Sequence, residues 1–161
     1  MDGFIIIGTR NGLFYKDVFP LVQEGKITLG YTHRHIKSDS HFCFTTPNGD
    51  FFFNTPNGEI ADLDHTAKWV TNMPVDIGYQ LPLTETYTPE DYPVFDNYPD
   101  AINVDKLKDI PKDYYGVMGV PVGFVDKHNP NQFEIVGVIN SPVLKGKNIY
   151  RRILIRRKEN D

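Results

Sequence analysis

The sequence predicts an α/β fold that turns β-rich after its opening unit, and three observations carry that prediction. The opening reads strand, helix, strand between Phe4 and Tyr31, the unit from which α/β sheets are assembled. Two Thr-Pro-Asn-Gly turns, Thr46–Gly49 and Thr55–Gly58, punctuate an aromatic stretch, and Asn-Gly supplies the positive φ of a tight hairpin. Between Tyr92 and Gly137, Pro93, Pro99, Pro111, Pro121 and Pro130 fix the backbone at short intervals. Each proline locks φ and pushes its predecessor towards an extended conformation, so this is a long ordered loop with little room for helix.

Taken in order, Phe4-Ile5-Ile6-Ile7 before Gly8 is a continuous, β-branched apolar run, the pattern of a strand buried on both faces. After the turn Thr9–Gly12, Phe14, Val18, Leu21 and Val22 recur on one face of a helix. Pro20 implies a kink or an early end, and Gly25 a stop. Ile27–Tyr31 is the second strand. Phe42-Cys43-Phe44 and Phe51-Phe52-Phe53 are short strands of a β-meander that continues into Lys68–Met73. Thr84–Tyr98 mixes aromatics, prolines and acids without periodicity and reads as a loop. Phe133–Val136 is an isolated strand, while Asn140–Pro142 and Lys145–Asn148 are turns. Tyr150–Arg157 is a terminal strand, with Ile153 and Ile155 on one face and Arg152, Leu154 and Arg156 on the other. Nothing marks an internal boundary. The expectation is a single domain or fragment over 1–161, with 1–31 as the strand–helix–strand unit and 32–161 as a β-rich region.

A chain of 161 residues can bury one real core, and 40% apolar with 24% charged residues is a soluble, globular composition. No apolar run approaches the roughly 20 residues that cross a bilayer, and no signal-peptide pattern opens the chain. The one cysteine, Cys43, has no internal partner and reads as a small buried hydrophobe, which points to the reducing cytoplasm. The net charge of −4 conceals an asymmetry. Acids dominate from Asp50 to Asp113, whereas Lys145, Lys147, Arg151, Arg152, Arg156, Arg157 and Lys158 are the only charged residues from Lys145 to Lys158. A polyanion responds to such a stripe and not to the total.

Three long segments carry a family resemblance: FIIIGTRNGLFYKDVFPLVQEGKITLGY, KWVTNMP and DNYPDAINVDKLKDIPKDYYGVMGVPVGFVDKHNPNQFEIVG. From Phe4 to about Arg157, weakening between Thr32 and Asp64, the chain resembles the C-terminal part of adenine-specific DNA methyltransferases of the EcoRI type. The resemblance implies a piece of a Rossmann-like methyltransferase sheet joined to a region that recognises a target sequence in double-stranded DNA. It implies S-adenosylmethionine as cofactor of the parent enzyme. It also implies an Asn/Asp-Pro-Pro-aromatic tetrad that holds a flipped adenine, upstream of the strand matching Phe4–Gly8.

That tetrad is not in this sequence. Asn129-Pro130-Asn131-Gln132-Phe133 comes nearest but has no second proline. Gly8-Thr9-Arg10-Asn11-Gly12 fits no nucleotide-cradling glycine pattern. The chain alone is therefore expected to be inactive and to bind no cofactor. DNA contacts are expected from Lys145, Lys147, Arg152 and Arg156 to phosphates and from Asn11 and Arg34 in loops, with Asn72 a further candidate for base edges. Trp69 reads as a core or strand residue before a base-stacking one. A different reading is a non-catalytic binding or scaffold protein descended from such an enzyme. A third is a metal-dependent hydrolase using His33, His35 and His41, although a basic surface loop suits that cluster better. Asp105, Asp109 and Asp113 are helically spaced, but Pro111 breaks any helix that would align them. An apolar first strand without a preceding element also implies uncovered sheet surface and self-association.

Overall fold

A computed structural model describes residues 2–30, 67–75 and 80–158. The two Thr-Pro-Asn-Gly turns, the aromatic strands between them, Cys43, Arg34 and the histidine cluster all lie outside the described residues. The chain divides into two compact units, Met1–Asp76 and Ile77–Asp161. Among the described residues, the first unit combines a sheet with two short helical turns, and the second is built mainly of strands.

In the first unit, β1 (Ile5–Thr9), β2 (Thr28–Leu29) and β3 (Ala67–Thr71) form a sheet in the order β1-β3-β2. Both outer strands run antiparallel to β3, with Ile5 opposite Thr71 and Leu29 opposite Val70. The expected strand–helix–strand order is present, but its two strands are separated by β3 and its helix is divided. A 3-10 helix covers Arg10–Phe14, and α1 spans only Phe19–Gln23. Pro20 is the reason. It sits in the first turn of α1, where a missing N–H is harmless and the fixed φ is helical, so it starts the helix instead of kinking a longer one. Gly25, at φ 71°, ends the helix as expected, its N–H donating to the Val22 carbonyl at 3.1 Å. Leu13, Phe14, Phe19, Val22, Ile27 and Leu29 form the core.

The first strand departs from its expected setting. Ile5, Ile6 and Ile7 are 53%, 59% and 62% exposed, where the sequence predicts a doubly buried strand. The run is apolar on both faces, but β1 is the outermost strand of the described sheet and the unit's core gathers elsewhere. The Lys68–Met73 segment holds the approach to β1. The Thr71 hydroxyl donates to the Phe4 carbonyl at 2.7 Å, and the Asn72 side chain accepts from the Phe4 N–H at 2.8 Å and donates to the Asp2 carbonyl at 3.2 Å. Trp69 is a strand residue whose indole lies against Gly30, where any Cβ would meet the ring.

The second unit holds a mixed sheet in the order β4-β5-β6-β10-β7. Its strands are β4 (Val94–Phe95), β5 (Tyr98–Asn103), β6 (Val117–Pro121), β7 (Phe133–Ile139) and β10 (Arg152–Arg157). Only β5 and β6 are parallel. A hairpin of β8 (Val143–Leu144) and β9 (Lys147–Asn148) precedes β10. The proline-rich stretch has no α-helix, as expected, and its helical turns are 3-10, at Leu107–Asp109 and Val122–Asp126. It is not the long loop expected, because its extended pieces pair as β4, β5, β6 and the start of β7. The loop expected over Thr84–Tyr98 is one as far as β4.

One strand reading needs correction. Phe133–Val136 is not isolated, because β7 extends to Ile139 and pairs with β10. The terminal strand is present as β10 and lies inside the sheet, between β6 and β7. Ile153, Leu154 and Ile155 are all buried, so its sequence alternates only loosely for the reason that both faces are covered. Phe95, Ala101 and Leu154 form one core cluster, against which Leu144 and Ile149 anchor the β8–β9 hairpin.

Candidate nucleic-acid interface

The basic run of the second unit separates into committed and uncommitted charges. Arg152 leaves β10 into a largely buried position, its side chain 11% exposed. Its Nε donates to Asn103 Oδ1 at 3.2 Å, its Nη1 to the Tyr150 carbonyl at 3.2 Å, and its Nη2 lies 3.6 Å from Asp105 Oδ1. Asn103 in turn donates to the same Asp105 oxygen at 2.8 Å. Burial pulls the Arg152 pKa down from its ordinary value, and Asp105 partly restores it. Arg156 places Nε and Nη2 at 3.3 and 2.9 Å from Glu134 Oε2, across the β10–β7 pairing. Arg157 lies over the Tyr115 ring, 4.7 Å from its centroid.

Lys145 and Lys147 are different. Both are exposed on the β8–β9 hairpin and make no ion pair or hydrogen bond through their side chains among the described residues. Between the paired Leu144 and Lys147, the two turn residues Lys145 and Gly146 have φ of 50° and 76°. That is the mirror-image turn whose twist matches the strands it joins. Asp96 and Asn97 hold it. The Gly146 N–H donates to Asp96 Oδ2 at 2.7 Å, the Asp96 N–H to the Val143 carbonyl at 2.8 Å, and the Asn97 amide links the Ser141 carbonyl and the Val143 N–H, each at 2.9 Å. Tyr150, just beyond the hairpin, is 90% exposed.

Opposite in charge is a cavity of about 220 Å³ lined by Glu85, Thr86, Asp91, Tyr92, Asn103, Asp105 and Asp109. Tyr92 donates its hydroxyl to the Asp109 carbonyl at 2.7 Å. Burial first, then Glu85, Asp109, Asp91 and Asp113, hold the phenol neutral above its usual range. Asp105, Asp109 and Asp113 are put to separate uses, Asp113 accepting the Tyr87 N–H at 2.8 Å. Among the described residues no three His, Cys, Asp or Glu side chains are grouped to hold a metal ion. A wall of carboxylates repels phosphates, so any duplex has to approach from elsewhere.

The other sequence-derived candidates can now be placed. Asn11 is exposed in the 3-10 helix of the first unit. Arg34 lies outside the described residues, and Asn72 is occupied at the entry to β1. Asn129 is buried, and its side-chain oxygen accepts the Asn131 N–H at 2.9 Å. The string that came nearest a catalytic tetrad is therefore a self-capped turn, and its aromatic Phe133 is core. Sequence reasoning did not single out Tyr150 as an exposed aromatic. The signal was the step from Ile149, which packs inward, to a tyrosine flanked by Asn148, Arg151 and two lysines.

Comparison with known proteins agrees with the sequence motifs. Residues 2–160 match the model of the family described as adenine-specific methyltransferase EcoRI. The chain is 41% identical over 167 residues to the Type II methyltransferase M.EcoRI of Escherichia coli, covering 96% of this chain and 50% of that protein. It is 31% identical over 153 residues to M.MgeORF184P of Mycoplasma genitalium, covering 86% and 45%. M.MpnI of Mycoplasma pneumoniae is 27% identical over 184 residues, covering 98% and 57%. The chain thus spans about half the length of the curated relatives it matches. No solved structure matches it. The chain belongs to the EcoRI-type adenine-specific methyltransferases.

Proposed function

We propose that this chain is the part of an adenine-specific DNA methyltransferase that follows the catalytic motif and recognises target duplex, within a cytoplasmic restriction–modification system. What supports this reading is the family match from residue 2 to residue 160, in a chain half as long as its relatives. On this reading the β1-β3-β2 unit is a piece of a Rossmann-like sheet, and the second unit offers Lys145 and Lys147 to the phosphate backbone. Arg152 and Arg156, already bound to protein oxygens, would contribute less to DNA than the lysines.

S-adenosylmethionine is the methyl donor that the family implies. The described residues do not fit it. An adenosine group needs an apolar wall beside polar groups for its ribose hydroxyls. The cavity of about 270 Å³ in the first unit is lined by Phe4, Ile6, Leu13, Leu21, Ile27 and Val70 among others, with no charged group. The acidic cavity of the second unit has carboxylates but, Tyr92 apart, no apolar wall. No step through the cofactor follows from these residues. On this reading, donor binding and chemistry belong to residues outside those described.

The test is a salt titration of binding to a mixed-sequence duplex, alongside a methyl-transfer assay with labelled donor. Every phosphate that the protein no longer neutralises flattens the plot of log affinity against log salt by roughly 0.9. Lys145→Ala/Lys147→Ala is expected to flatten it by about twice that, with no label entering adenine from the wild-type chain. Failure to bind duplex at low salt, or label in adenine, would overturn the reading.

A further inference from the structure

We propose that Tyr150 stacks on a DNA base exposed at an opened base step, while Lys145 and Lys147, at the turn end of the hairpin that precedes it, grip phosphates of the adjoining backbone. This rests on the DNA-binding reading above and adds the ligand feature that the hairpin selects. A single exposed aromatic means little by itself, since folded proteins leave many apolar atoms in water. Three further observations give this one a role. At 90% exposed it is the most exposed large hydrophobic residue among those described. It follows Ile149, which is anchored on the Phe95–Leu154 core, so the ring stands on a fixed base and faces away from that core. The lysines beside it have no carboxylate partner among the described residues, unlike Arg152 and Arg156.

The hairpin is also held in a conformation that its sequence disfavours. Lys145 occupies the left-handed region, where Gly or Asn is preferred. Five hydrogen bonds to Asp96, Asn97 and Pro142 fix it there. The result is a fixed hairpin with cations at its turn and an exposed aromatic just past its base, and cations with an exposed ring are the combination that grips a strand whose bases are unstacked. A DNA methyltransferase creates such a place, because a base rotated out of the duplex leaves its neighbours without a stacking partner. Tyr150 acts here as a positioning residue for the DNA, without touching the reacting atoms.

The experiment compares the wild-type chain, Tyr150→Ala, Tyr150→Phe and Lys145→Ala/Lys147→Ala by fluorescence anisotropy. Two probes are used: a fully paired duplex and the same duplex carrying one unpaired base. Tyr150→Ala is expected to weaken binding of the unpaired-base probe by about tenfold and of the paired probe by less than about threefold, with the salt slope unchanged. Tyr150→Phe, which keeps the ring, is expected to retain wild-type affinity for both. Equal losses on the two probes, or none on either, overturn stacking. If binding then still shows a lysine-dependent salt slope, the DNA-binding reading survives without it. Should the wild-type chain bind neither probe, that reading falls and this inference with it.

Discussion

Arg152 and Arg156 carry the same side chain on the same strand, yet their surroundings give them different work. Arg152 is largely buried and is the donor that satisfies Asn103 Oδ1 and the Tyr150 carbonyl. Removing it leaves the buried Asn103 Oδ1 without this donor, so Arg152→Ala is expected to destabilise the fold by about 1–3 kcal/mol. Arg156 and Glu134 are both about half exposed, and pairs of that kind contribute less than about 1 kcal/mol. Urea denaturation of the two single variants checks the contrast, and comparable losses would contradict it. The contrast also bears on DNA binding. A loss of affinity in an Arg152 variant is ambiguous unless its folding is measured, whereas Lys145 and Lys147 are free of that difficulty.

At the scale of elements, the close packing of β6 makes its own prediction. A Cβ built on Gly119 would come within 2.5 Å of the Phe95 ring, which is fully buried between strands. Gly119→Ala is therefore expected to lower stability by about 1–3 kcal/mol, measurable as a shift in the denaturation midpoint without a change in slope. The sequence revealed elements whose pattern is local. Gly25 ended its helix, Lys68–Thr71 lay in a strand, and the prolines kept α-helix out of Tyr92 to Gly137. What it concealed was non-local. Nothing in RRILIRR says that β10 lies between β6 and β7, because strand order is set by pairing across long sequence separations. Nor does it say that Arg152 turns to Asn103 and Asp105. The same limit hid Gln132, whose amide donates to the Leu81 carbonyl at 2.7 Å and accepts from the Leu81 N–H at 2.8 Å, tying residues far apart in sequence.

For the whole molecule, the exposed strand β1 yields a prediction about behaviour in solution. Three consecutive isoleucines more than half exposed, on the outermost strand of the described sheet, form the kind of edge that recruits another chain. The isolated chain is expected to self-associate, and Ile6→Lys to reduce that association. Light scattering over a concentration series decides, and a clean monomer at high concentration would defeat the expectation. The central place of β10 has a different consequence, in time instead of space. Since β6 and β7 flank β10 in the sheet, both are synthesised before the strand that joins them exists. Until residues 152–157 have left the ribosome, β6 and β7 each keep an open edge, so β7 joins the sheet only after the late arrival of β10, while β4, β5 and β6 can already pair.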